Sequence, residues 1–223
     1  MYICTNYKVN KMKRILLAIV FACFTLALAA QEVYKVKYQG DRPTIADFAD
    51  AIFTEVDDAD VDVDDEELEG EMDESFNAIR NTWLRYRKGL PQNEGDSITL
   101  DQKNGFICYE FRYEDELVRI ELCYWNEADQ KHKLIGYNVS CFTDGKYSAG
   151  QFDGLVFYRY DNAKKEITWY EAPGFDVEYG TEDGAWVYYD LPRSGKNITV
   201  NYCYDNGTKK QKTLKFDGSR FSF

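Results

Sequence analysis

The sequence predicts an α+β domain: two N-terminal amphipathic helices packed on an antiparallel β-meander of about ten strands, closed as a sandwich or left as an open half-barrel. Three observations carry this. Apolar residues recur at helical spacing up to Lys88, the period changes to two from Ser97 onward, and turn residues cut that second part into short runs. The expected organisation is a cleaved leader over residues 1–30, an extended and helical segment over 31–96, and the meander over 97–223, the last two forming one domain.

The first helix is announced by Pro43-Thr44-Ile45-Ala46-Asp47. Thr44 can cap the amide three residues on and Asp47 can reach back, which makes a capping box. Ile45, Phe48, Ile52 and Phe53 then predict one apolar face. A second helix is expected from about Asp65 to Lys88, with Leu68, Met72, Phe76, Ile79 and Trp83 on one side. Its acids crowd the first turns and Arg80, Arg85, Arg87 and Lys88 the last, the order the helix dipole favours. Gly89 and Pro91 end it.

The strands are read from alternation: 105–111, 118–124, 133–142, 155–160, 166–170, 185–190, 197–204 and 212–216, preceded by an extended 32–38. Asp144-Gly145, Asp161-Asn162 and Asn206-Gly207 supply turns between them. Register follows from side-chain chemistry. Tyr109 opposite Ile120 places Ile107 against Leu122 and Phe111 against Val118 on the buried side, with Glu110 against Arg119 on the other. In the last hairpin a two-residue turn would expose Leu214 and Phe216. A three-residue Asp205-Asn206-Gly207 loop with a bulge at Gly207 instead aligns Ile198 with Leu214.

Lys11 to Arg14, about fifteen apolar residues and the small pair Ala27 and Ala29 match a secretory signal peptide. Export to the periplasm, cell surface or medium is therefore expected, with no transmembrane segment after cleavage. The chain has 39 acids against 27 Lys and Arg, a formal charge of −12. Thirteen of those acids lie between Glu55 and Glu74, so the rest of the molecule is near neutral and lacks the basic face that nucleic-acid binding requires. Cys108, Cys123, Cys141 and Cys203 outlast the leader, either as core thiols or as one or two disulfides.

Histidine-dependent triads have no centre, because the only histidine, His132, stands between two lysines at a hairpin tip where exposure is expected. Asp58, Asp60, Asp62, Asp64 and Glu69 fall at positions 1, 3, 5, 7 and 12 of a calcium-loop pattern, with Val63 where the glycine should be. They read as a calcium site, as a solvated acidic linker and helix start, or as part of an acidic segment that docks onto the C-terminal hairpin, where Arg193, Lys196, Lys209, Lys210, Lys212, Lys215 and Arg220 outnumber Asp205 and Asp217. With 16% aromatic residues, Trp125, Trp169, Tyr170, Trp186 and Tyr189 are candidates for ligand binding. Alternating rings are equally what a half-buried strand prefers.

Gly40-Asp-Arg-Pro-Thr-Ile-Ala-Asp-Phe48, Cys123-Tyr-Trp-Asn-Glu-Ala-Asp-Gln-Lys-His-Lys-Leu134, Gly150-Gln-Phe-Asp-Gly-Leu155, Leu191-Pro-Arg-Ser-Gly-Lys-Asn-Ile198 and Leu214-Lys-Phe-Asp-Gly218 resemble a group of small exported proteins of unknown function from Bacteroidetes-type bacteria. The resemblance implies an envelope or secreted location and, for some members, life among host or dietary glycans, and it brings no catalytic residues. The expectation is a non-enzymatic periplasmic or surface binding module for a glycan or protein partner. A half-barrel carrier of an apolar ligand and a hydrolase using only Asp and Glu are the alternatives.

Overall fold

The computed structural model describes residues 33–54, 77, 79–113, 115–149, 153–176 and 184–223. The leader, the start of the second helix and the acidic stretch with Asp58, Asp60, Asp62, Asp64 and Glu69 lie outside the described residues.

A helix spans Ile45–Thr54, where the capping box placed it. The Thr44 amide donates to Asp47 Oδ2 at 2.6 Å, and the Asp47 amide to Thr44 Oγ1 at 3.4 Å. This satisfies two of the amides that a helix start leaves orphaned. The expectation of a single apolar face needs correction. Seven of its ten residues are buried, because Ala46, Ala49 and Ala51 are small enough for neighbours to close over the sides as well. Residues 79–87 form the end of the second helix. Trp83 Nε1 donates to Asp50 Oδ1 at 2.8 Å and Arg87 to Asp50 Oδ2 at 2.9 Å, which ties the helices together.

The described residues form twelve strands, nine of which lie on predicted runs: β1 (Val33–Lys35), β2 (Asp96–Asp101), β3 (Phe106–Tyr113), β4 (Glu116–Asn126), β5 (His132–Thr143), β6 (Lys146–Tyr147), β7 (Gly154–Asp161), β8 (Glu166–Trp169), β9 (Trp186–Asp190), β10 (Asn197–Cys203), β11 (Lys209–Phe216) and β12 (Phe221–Ser222). The three outside those runs are β2, which the change of period at Ser97 marked only as a beginning, and β6 and β12, whose two residues each are too few to show a period. The strands make two antiparallel sheets rather than one meander. Eight strands take the order β1-β8-β7-β5-β4-β3-β2, with β6 on β5, and four take the order β12-β11-β10-β9. Both predicted registers hold, with Tyr109 facing Ile120, Glu110 facing Arg119 and Ile198 facing Leu214, but Phe111, expected on the buried side opposite Val118, is exposed. The last loop is the bulged one. Gly207 N donates to Tyr204 O, Tyr204 N to Thr208 O, and Gly207 has φ +81°.

The large sheet is covered on both faces. From one face Ile107, Leu122, Ile135, Tyr137 and Tyr160 join the helices in a single core. From the other, Phe106, Cys123, Trp125, Leu134, Leu155 and Phe157 join the inner residues of β9, β10 and β11 in a second core. Strand β9 ends the small sheet, so one row of its backbone groups has no strand partner, a state that is costly when buried. Side chains of the large sheet supply the partners. Tyr147 Oη donates to Val187 O at 3.1 Å, Asn138 Nδ2 to Tyr189 O at 3.0 Å, and Glu121 accepts from Leu191 N at 3.2 Å.

Candidate functional site

Because Ile198, Val200 and Tyr202 point into the second core, alternation turns Thr199, Asn201 and Cys203 to the outer face of the small sheet. Register then builds rows across it. Trp186 faces Cys203, which faces Lys209; Tyr188 faces Asn201, which faces Gln211; Asp190 faces Thr199, which faces Thr213. The middle of the face is a hydrogen-bonded polar chain. Gln211 Nε2 donates to Asn201 Oδ1 at 2.7 Å, and Asn201 Nδ2 donates to Asp190 Oδ2 at 2.7 Å. Arg119 of β4 continues it, with Nη1 3.7 Å from Asp190 Oδ1 and Nε donating to Glu110 at 3.1 Å. At one end stands Trp186, 52% exposed. At the other flank Tyr188 packs on Tyr147, ring centroids 4.7 Å apart, and on Phe142, at 5.4 Å. Arg119 lies 5.2 Å over the Phe142 ring. Asn201 itself is only 3% exposed and both ends of its amide are engaged, so what the face offers to solvent is the Trp186 indole, the exposed Gln211 and the Thr213 hydroxyl.

The five aromatic candidates do not converge. Trp125 is 4% exposed and Tyr189 1%, so neither ring forms part of an exposed platform. Trp125 is buried because Gly136 leaves a slot for it: a Cβ there would come 3.2 Å from the indole. Tyr189 points inward on β9, its ring 5.7 Å from Phe175. Trp169, 38% exposed, and the half-buried Tyr170 sit at the end of β8 in the other sheet, with Arg159 5.0 Å over the Tyr170 ring. Only Trp186 belongs to the polar face. Asn201, Gln211 and Tyr188 were missed, although the bulged register already set Asn201 opposite Gln211.

His132 is half-buried and paired, not solvent-exposed. Its Nδ1 lies 2.5 Å from Asp129 Oδ2 and its Nε2 3.8 Å from Asp161. Glu127, Asp129 and His132 bring ligand atoms within 4.8 Å of one another. Each already has a partner. Arg159 holds Glu127 at 2.8 and 2.5 Å, and Asp129 caps the amides of Lys131 and His132. A guanidinium in the same cluster opposes a bound cation, so these groups act as a clasp between the β4–β5 turn and β7.

The four described cysteines are unpaired. Burial pushes the Cys108 thiol up to about 12 and raises Cys123, Cys141 and Cys203 as well. Thiolate chemistry is therefore suppressed at all four. Glu121, 5% exposed between the sheets, has its carboxyl raised to about 7 by burial. No family model, curated protein or solved structure matches this chain.

Proposed function

We propose that this chain is an exported, non-enzymatic binding module that takes a glycan on the outer face of its small sheet. The observation that carries the reading is the exposed Trp186, which stands on the same face as the Asp190–Asn201–Gln211 polar chain, in the row next to that of Asn201 and Gln211. A sugar ring presents an apolar C–H face and a rim of hydroxyls. An indole matches the first, and the exposed Gln211 amide matches the second. A protein partner would favour a larger apolar patch than one tryptophan.

The carrier alternative needs room beneath the helices, and there the rings meet: Phe48 lies 5.0 Å from Tyr160 and 5.3 Å from Tyr124. The hydrolase alternative needs an accessible carboxyl pair. Glu121 is tuned near neutrality, but both sheets cover it and its oxygen is engaged by Asn138 and Leu191. Among described residues no helix is long and apolar enough to cross a membrane.

The test is affinity electrophoresis of the chain and of Trp186→Ala through gels containing neutral or charged polysaccharides. Slowing of the parent that is lost in Trp186→Ala supports the module. No slowing by any polysaccharide, or equal slowing of the variant, removes the reading.

A further inference from the structure

The strand that carries Trp186 is paired on one side only. Strand β9 bonds to β10 and ends the small sheet. On its other side Val187 O, Tyr189 O and Leu191 N are met by Tyr147, Asn138 and Glu121 of the large sheet. These odd-numbered residues hold the strand, while the even-numbered Trp186, Tyr188 and Asp190 stand on the outer face. What fixes the open edge therefore also fixes the groups of the candidate site.

Two of those three ties form one cluster. Glu121 Oε2 accepts from Leu191 N at 3.2 Å and from Asn138 Nδ2 at 3.0 Å, and the same Asn138 nitrogen donates to Tyr189 O at 3.0 Å. Glu121 is 5% exposed and Asn138 is fully buried. The charged and titratable groups around the carboxyl are Arg119 and Cys123 on its own strand, Cys108 opposite it on β3, and Asp190 on β9; β5 presents the neutral Asn138 and Ser140. Arg119 is engaged by Glu110 and Asp190, and Glu121 makes no ion pair with a described residue.

The two protonation states of this cluster differ in what they leave unsatisfied. Ionised, Glu121 is a buried charge beside an amide whose Oδ1 lacks a donor among the described residues. Protonated, it loses the charge and brings an O–H into the cluster. We propose that Glu121 is a proton-operated latch on β9: protonated, it holds Tyr189 and Leu191 to the large sheet and fixes the strand bearing Trp186 and Asp190; ionised, it releases them and the outer face loosens. The latch stands on the edge geometry, and its effect on a ligand rests on the glycan reading above. Burial raises the held carboxyl to about 7, whereas a released one is solvated, so release becomes easier as pH rises towards 7 and levels off above it.

The experiment follows exchange of the Leu191 amide by NMR from pH 5 to 8, corrected for its intrinsic rate, in the full chain and in the isosteric Glu121→Gln, whose folding a thermal melt confirms. The buried Ile135 of β5 serves as the reference for opening of the whole fold. Protection of Leu191 should fall by about tenfold or more between pH 5 and 7.5 in the parent, stay flat in the variant, and remain below that of Ile135. A flat profile in the parent, the same fall in the variant, or a Leu191 amide as slow as Ile135 overturns the latch.

The ligand arm uses gels holding neutral galactomannan or charged polygalacturonate at pH 5.5 and 8, each mobility taken relative to a gel without polymer at the same pH. Slowing of the parent should be about twofold or more stronger at pH 5.5, and equal at both pH values in Glu121→Gln. Equal slowing of the parent at both, with the exchange result in place, overturns the coupling to the face and keeps the latch. No slowing by either polymer at any pH overturns the coupling and counts against the glycan reading, while the exchange profile decides the latch.

Discussion

Glu121 of the large sheet accepts the Leu191 amide of the small sheet at 3.2 Å, and does so where only 5% of the residue is exposed. The same oxygen accepts from Asn138 Nδ2 at 3.0 Å, and that amide also donates to Tyr189 O at 3.0 Å. One tie between the sheets thus runs through an ionisable group. Asn138 Oδ1 is buried with no partner among the described residues, so a proton on Glu121 would add a donor to a cluster that is short of one.

The first prediction concerns pH. Burial raises the folded carboxyl from 4.5 to about 7, so the folded chain binds this proton more tightly than the unfolded chain. Its stabilising contribution is full below about pH 4.5 and is lost as pH rises through 7. Urea unfolding at pH 5 to 8 should show Glu121→Gln gaining on the parent by roughly 2–4 kcal/mol across that window. A gap that does not change with pH would contradict the linkage.

The tryptophans should separate by burial. Trp125→Ala is expected to cost about 3–5 kcal/mol, since it empties the Gly136 slot in the second core. Trp186→Ala should stay within about 0.5 kcal/mol of the parent, as exposed sites do. Equal losses in denaturant melts would mean that Trp186 is not the open ring.

Removing the helix cap tests the N-terminal packing. Thr44→Ala should destabilise by about 1 kcal/mol, and Asp47→Ala by a similar amount, because each deletes half of a reciprocal pair. Since the two share one motif, the double variant should lose less than the sum of the singles. Additivity in a double-mutant cycle would show that the two halves act separately.

The bulged hairpin predicts a penalty at Gly207. Its φ of +81° disfavours any side chain, so Gly207→Ala should lower stability by about 1 kcal/mol. Gly145 also has a positive φ, of +71°, and an alanine there should cost a similar amount. A neutral Gly207→Ala would point to a different loop.

Much of the fold was legible locally. The capping box, the strand runs and both hairpin registers follow from neighbours in sequence and from turn chemistry. The candidate face was legible in part: Trp186 stood out as an aromatic, and Asn201 opposite Gln211 was implicit in the Ile198–Leu214 register. Trp125 and Tyr189 looked equivalent to Trp186 because alternation marks two faces on a strand without saying what covers either.

The sequence by itself therefore determined where the helices and strands lie and how adjacent strands pair, since capping, period and turn geometry act over a few residues. Only the tertiary structure decided that a second sheet stacks on the first. Stacking buries Trp125 and Tyr189, places Glu121 against the open edge of β9, and leaves Trp186 on the outer face. Those outcomes depend on which distant apolar faces meet, and no local pattern along the chain encodes that choice.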